Sequence, residues 1–231
     1  MTVNATGKPQ RKVAKYSAIA LLVVIAGLLL SQVIWLYSGS NQWELEMDQN
    51  GLKIYSMKSP GSAMKKFKSE MKVKAKLSAI VKLMEDPDVC DEIGCRDSKV
   101  LETVNEQLRY HSFVMDPPFP FRSREFVAKV EFLQDPDSKE LLINFIAAPD
   151  KVPPSDCCYR VTHMNNTWRF KPLENGELQV EYIVDTDEGG AIPSILLNAL
   201  RPQFLRDALG KLEGLMKREK YQNAEYSFLK S

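Results

Sequence analysis

Histidine is nearly missing from this chain: His111 and His163 are the two present in 231 residues. They fall on separate predicted strands, unaccompanied by an HExxH, a G-x-S-x-G or a glycine-rich phosphate loop, so the common metalloprotease, serine-hydrolase and nucleotide-binding signatures are lacking. A lone strand histidine is more often packed or solvated than a base or a ligand. Net charge is also scarce, at +1 overall. Residues 1–40 hold Lys8, Arg11, Lys12 and Lys15 and no acid, which leaves the remainder slightly acidic. Such a balance offers no basic field for nucleic acid, and no nucleic-acid partner is expected. Internal repeats and low-complexity tracts are absent too, so length and composition predict one sizeable domain with an appendage.

What is abundant at the N-terminus is apolar surface. Ala18 to Leu30 contains no polar side chain, Ser31 and Gln32 interrupt, and Val33-Ile-Trp-Leu resumes. About 20 apolar residues cross a bilayer, and Tyr16–Tyr37 reaches that length. Basic residues before the segment and Glu44, Glu46 and Asp48 after it predict a cytoplasmic N-terminus and an exported remainder, with Trp35 and Tyr37 at the outer interface. A cleaved signal peptide is the competing reading, with Ser38-Gly39-Ser40 as cleavage point. The long basic region and long apolar run favour an uncleaved anchor. The expected division is a basic tail (1–15), an anchor (16–38) and a single domain (39–231), periplasmic in a bacterium.

Cysteine is sparse as well, with Cys90, Cys95, Cys157 and Cys158. Export implies oxidation. Four cysteines allow three pairings. A vicinal Cys157–Cys158 bridge carries strain, so one link from the first pair to the second is the expectation. A zinc site, which lacks the usual C-x2-C spacing here, and unpaired core thiols are the alternatives.

Past residue 43 a polar segment leads to an alternating strand, Gly51–Met57, and a turn at Ser59-Pro-Gly-Ser. Ala63–Leu77 reads as a strand with Met71, Val73, Ala75 and Leu77 inward and Lys72, Lys74 and Lys76 outward. Ser78 caps a short helix, Ala79–Glu85, which Asp86-Pro-Asp breaks. Strands follow at 99–104, 108–115, 125–133, 140–148, 158–164, 167–171 and 178–185, separated by hairpin signals that include Asn165-Asn and Glu174-Asn-Gly. Asn165-Asn-Thr also matches a glycosylation acceptor, placed in a turn. After Gly189 and Gly190 one long helix, opened by Pro193, runs to about Tyr221 with Leu197, Leu200, Phe204, Ala208, Leu212 and Leu215 on one face. About 29 residues make it roughly 43 Å long. Strands followed by a terminal helix specify α+β.

One charged pair and a single arginine stand out. Arg124 and Glu125 open a strand after the proline-rich loop 116–123, so alternation turns one of them inward. There it either orients a ligand's polar end or closes an edge salt bridge. Arg160, between Tyr159 and Val161, has the same choice.

Gly51-Leu-Lys-Ile-Tyr, Asp86-Pro-Asp, Lys99-Val-Leu-Glu, Arg124-Glu125, Tyr159-Arg-Val, Trp168-Arg-Phe-Lys-Pro172, Asp187-Glu-Gly-Gly-Ala-Ile-Pro193 and Asn198 occur here in one order. In that order and spacing, across about residues 43–222, the chain resembles START domains, the steroidogenic-acute-regulatory-related lipid-transfer family, with Glu125 where an aspartate is usual. The resemblance implies a helix-grip fold, in which a curved antiparallel sheet wraps the C-terminal helix around an apolar tunnel. It implies binding of a sterol, phospholipid or similar molecule without a cofactor. Phe126, Phe145, Trp168 and Tyr182, with Val130 and Val161, would line the tunnel opposite Leu197, Leu200 and Phe204. A 16-carbon chain gains on the order of 12 kcal/mol on leaving water, so a carrier needs such an enclosure. The same side chains would equally fill a solid core. An enzyme on the scaffold, a cyclase or hydrolase using His111 or Glu125, and a partner-binding module without a tunnel are the other classes.

Overall fold

The computed structural model describes residues 8–190 and 192–230, with side chains from Val13 onward. Residues 1–7 and the side chains of Lys8, Arg11 and Lys12, most of the expected basic tail, lie outside the described residues. Helix α1 spans Lys8–Tyr37. Its segment Val13–Tyr37 is long and apolar enough to cross a membrane, and none of its most apolar stretch is buried against the rest of the chain. A helix apolar all round needs lipid or a protein interior, and here no protein interior receives it.

The domain opens with strands β1 (Trp43–Gln49), β2 (Leu52–Met57) and β3 (Lys66–Val73), then helix α2 (Leu77–Glu85), a 3-10 turn (Pro87–Val89) and helix α3 (Cys90–Ile93). Strands β4 (Arg96–Asn105), β5 (Leu108–Met115), β6 (Arg124–Gln134), β7 (Leu141–Ala147), β8 (Tyr159–Arg160), β9 (His163–Pro172), β10 (Leu178–Val184) and β11 (Thr186–Asp187) follow. Three helices end the chain: α4 (Ser194–Leu209), α5 (Leu212–Met216) and α6 (Glu219–Gln222). The sheet order is β1-β2-β3-β10-β9-β7-β6-β5-β4, with β8 parallel to β6 and β11 on β9. Alternation turns Phe126, Ala128, Val130 and Phe132 of β6 inward, while Lys129 and Glu131 pair outside at 3.0 Å. The α+β helix-grip architecture is therefore present.

Local expectations fail in three larger places and in a smaller one at Ser78, which lies inside α2 instead of capping it, since Lys76 holds the cap position. Trp43–Gln49 is a strand rather than a polar lead-in: Trp43, Leu45 and Met47 alternate with Glu44, Glu46 and Asp48, and it forms a charged edge bulged between Leu45 and Met47. Asn165 and Asn166 sit within β9 instead of turning the chain. Asn166 Oδ1 accepts from Asp185 N and Thr186 Oγ1, both at 2.9 Å, so its side chain is used between strands. The acceptor pattern Asn165-Asn-Thr is thus on a strand, with Asn165 exposed. Third, the single long terminal helix is three. Its cap is Pro193 itself, and α4 stops at Gly210, in a stretch that glycines at 210 and 214 weaken. The breaks let Met216 and Tyr221 reach the core, where Tyr221 Oη donates to Asp86 Oδ2 at 2.7 Å.

Candidate functional site: an apolar cavity under α4

Between the inner sheet face and α4 lies a cavity of about 210 Å³. It holds roughly fifteen times the space one ordered water requires. From the sheet come Phe113, Met115, Phe126, Phe145, Met164, Trp168, Tyr182 and Val184; from α4 come Arg201, Phe204, Leu205, Ala208 and Leu209. Leu212 and Leu215 of α5 and Leu83 and Met84 of α2 close it further. Aromatic side chains stiffen the wall: Phe113 stacks on Phe126 at 4.7 Å and Trp168 on Tyr182 at 3.8 Å.

Few polar groups border the cavity. Asn166 and Thr186 satisfy one another, and Arg201 donates to the buried Glu188 carboxylate. His111 is 6% exposed, and its Nε2 has no partner among the described residues. Burial, then the neighbouring Arg109, pushes its pKa from 6.5 down to about 4, so the ring is neutral at neutral pH. Burial likewise pushes the Tyr182 hydroxyl up to about 12, against Arg201 and Asn166, so it stays protonated.

Of the residues picked out from sequence, the cavity collects Phe126, Phe145, Trp168, Tyr182 and Phe204. Val130 and Val161 are buried beside it without lining it. Leu197 and Leu200 lie outside, and Leu200 is 42% exposed. The expected face holds from Phe204 through Ala208, Leu212 and Leu215, which all border the cavity, and fails over the first turns of α4, because the inward row is Arg201, Phe204, Leu205, Ala208, Leu209 and Leu212, spaced i, i+3, i+4, i+7, i+8, i+11. An arginine opens that row, and its inward position becomes legible only once Glu188 is seen as its partner.

The charged candidates fasten loops instead of facing the cavity. Arg124 is buried beneath the Tyr159 ring and donates to the carbonyls of Glu188, at 3.2 Å, and Gly189, at 2.7 Å. Its burial lowers its pKa. Gly189 and Gly190 both have positive φ, and a Cβ on Gly189 would come within 2.6 Å of Tyr159, so this grip requires glycine. Glu125 accepts from Arg160 Nε and Nη2 at 3.0 and 2.9 Å and from Ser155 N at 3.2 Å. Burial alone would raise the Glu125 pKa, but the Ser155 amide and Arg160 outweigh it and hold the carboxylate below its ordinary value. Arg160 also donates to the carbonyls of Val152 and Pro153, both at 3.0 Å, which ties down the second proline-rich loop.

Sequence reasoning missed the disulfide in the wall. Cys90 pairs with Cys95 and Cys157 with Cys158, in place of the expected link between the pairs, and no thiol is left for zinc. Each pair closes locally. Gly94, at φ +94°, turns the chain back so that Cys95 N donates to Cys90 O at 2.9 Å. Both Cys90 and Cys95 border the cavity, and Gly94 lies against the Phe204 ring.

No family model matches the chain. An uncharacterized protein of Pseudomonas aeruginosa, PA1579, is 30% identical over 179 residues, which cover 76% of this chain and 86% of the relative. Among solved structures, a StAR-related lipid transfer protein from Xanthomonas axonopodis superposes with a TM-score of 0.70 at 23% identity, over 76% of this chain and 99% of that one. Human StAR-related lipid transfer protein 5 superposes with a TM-score of 0.64 at 15% identity, over 88% and 98%. The chain belongs to one family with the Pseudomonas aeruginosa protein, and its domain is START-like in fold.

Proposed function

We propose that the domain binds a lipid or another hydrophobic molecule in the cavity beneath α4 and holds or passes it at the outer face of the membrane that α1 crosses. The observation that carries this reading is the hollow beneath α4: apolar and aromatic walls with a few orienting polar groups are what a hydrophobic guest requires. Each methylene withdrawn from water contributes about 0.8 kcal/mol. The START-like fold and the lipid-transfer names of its structural neighbours support the same class. Residues 1–15 would face the cytoplasm, 16–38 would span the membrane and 39–231 would form the exported domain. Four oxidised cysteines agree with export.

Binding without turnover is favoured by the chemistry of the wall. Glu125, the one carboxylate considered as an acid or base, is engaged by Arg160 and Ser155 outside the cavity. Asp86, which borders the cavity, accepts from Tyr221 Oη, and His111, which borders it too, pairs with no carboxylate among the described residues. That histidine carries the second reading, an enzyme acting on a hydrophobic substrate. Purified residues 41–231 analysed by native mass spectrometry and organic extraction test both. Copurified lipid of the same mass in wild type and His111→Ala supports binding. A modified lipid present in wild type alone supports catalysis, and an empty protein that takes up no sterol, fatty acid or phospholipid refutes both.

A further inference from the structure

The last turn of α1 touches the domain through Trp35 and Leu36, which are half-buried, while Tyr37 stays exposed. Lys58, at the end of β2, is 9% exposed, and its Nζ donates to the carbonyls of Leu36 at 3.3 Å, Ser38 at 3.1 Å and Ser59 at 3.1 Å. It also lies 5.1 Å from the centre of the Trp35 ring. An ammonium on the final carbonyls of a helix satisfies their orphaned acceptors and opposes the negative end of the dipole. Gly61 N donates to Leu36 O at 2.8 Å, and Asn41 N to Lys58 O at 3.2 Å, so the β2–β3 connection wraps the helix end. At Gly39, φ is +119° and a Cβ would fall 2.3 Å from Lys58 O, so this close approach of the junction to Lys58 requires glycine.

One carbonyl joins this helix end to the cover of the cavity. Ala63 O accepts from Trp35 Nε1 at 3.1 Å and from Asn198 Nδ2 of α4, also at 3.1 Å. Asn198 Oδ1 in turn accepts from Lys65 N at 2.9 Å. Tryptophan at the end of an apolar span sits at headgroup depth, and Asn198 contacts the same atom that Trp35 does. Ile195 and Leu200 lie within one helical turn of Asn198, about 5 Å along the axis. Ile195 is 70% exposed, and Ala199 and Leu200 are exposed beside it. In the second half of α4 the exposed residues are instead Gln203 and Asp207, which bond each other at 3.0 Å. The apolar half of the outer face is the half fastened to the membrane helix.

We propose that α1 is docked onto the domain through Trp35, Leu36 and Lys58, and that it thereby lays the first half of α4 on the surface of the bilayer it enters. The occupant of the Ile195–Leu200 face is that bilayer, since this face continues from the end of the spanning helix. The cover of the cavity then rests against lipid, and the anchor fixes where the cavity opens. This rests on the reading that α1 spans a membrane.

The test uses the full chain in nanodiscs whose lipids are brominated near the headgroup end of the acyl chains. Ile195→Trp and Leu200→Trp report from the apolar half, Asp207→Trp from the polar half, each against the parent's own tryptophans. Strong quenching of the added emission at 195 and 200, with none at 207, is expected. Lys58→Met and Trp35→Phe, made separately in the Ile195→Trp background, are expected to lose that quenching while the chain stays in carbonate-washed membranes. Equal quenching at all three positions overturns the proposal, and so does persistence of the 195 signal in both undocked variants. A blue-shifted but unquenched signal at 195 means that a protein covers the face, which overturns it too. A fluorescent fatty acid titrated into the same nanodiscs separates the two readings: binding retained without quenching refutes the docked anchor alone, whereas a chain released by carbonate refutes the anchor and the docking together.

Discussion

The inner face of one sheet meets two different interiors. Around Phe132, Leu141, Ile143, Phe170 and Val180 the side chains are fully buried, and the C-terminal segment seals them: Phe228 packs on Phe132 at 6.4 Å, and Gln134 accepts from Lys230 N at 2.6 Å. Farther along the same strands Phe126, Phe145, Met164 and Tyr182 border the hollow under α4. Both regions draw on the same residue types in the same alternation. The difference lies in what covers them, and the breaks after Leu209 decide it by turning α5 and α6 back onto α2 while α4 rests on β2 and β3 and spans the hollow. An apolar inward pattern therefore specifies burial without specifying solidity.

Truncation separates the two regions most sharply. Phe132→Ala, in the filled part, should cost about 3–5 kcal/mol by urea unfolding. Phe145→Ala, which already faces empty space, should cost roughly half of that or less, because fewer contacts are lost. Equal costs would mean that the hollow is filled by packing that the described contacts do not contain.

Next comes pH. The folded His111 resists protonation down to about pH 4, whereas in the unfolded chain it titrates near its ordinary 6.5. Between those values the unfolded state binds the extra proton, so stability is full above pH 6.5 and falls by about 3 kcal/mol on descending to pH 4. His111→Leu should flatten that part of the stability profile. An unchanged slope would place the titration on another group.

Much of this was legible before any coordinates. Alternation marks β2, and the hairpin signals between strands bound β5, β6, β7 and β10, nearly to the residue. Where one signal served two purposes, reading failed. Asn165-Asn166 looks like a turn because asparagine bonds nearby backbone, and here Asn166 does so across strands. The phase of the terminal helix is legible from Phe204 onward and lost before it, because Arg201 is inward and paired, and the cavity wall at Cys90–Cys95 is hidden because local pairing depends on the left-handed Gly94. Arg124 and Glu125 stand out in the sequence, yet their partners Gly189 and Arg160 lie far along the chain.

Removing that wall bridge, as Cys90→Ala with Cys95→Ala, should cost on the order of 2 kcal/mol from loop entropy and loosen ligand retention. Full retention in the variant would show the wall to be held by the Phe204 contact and the Arg218–Glu92 pair instead. Smallest of all is Leu200→Ala. It lies outside the cavity, so stability of purified residues 41–231 should change by no more than about 0.5 kcal/mol and ligand content should stay the same.

The central claim is that the space beneath α4 is where the hydrophobic guest sits. Ala208 borders that space from the helix side, so Ala208→Phe fills it without touching the outer surface. Titrating a fluorescent fatty acid into wild type and Ala208→Phe, with unfolding curves recorded in parallel, should give saturable binding in the first and none in the second at comparable stability. Undiminished binding in a folded Ala208→Phe protein would contradict the account.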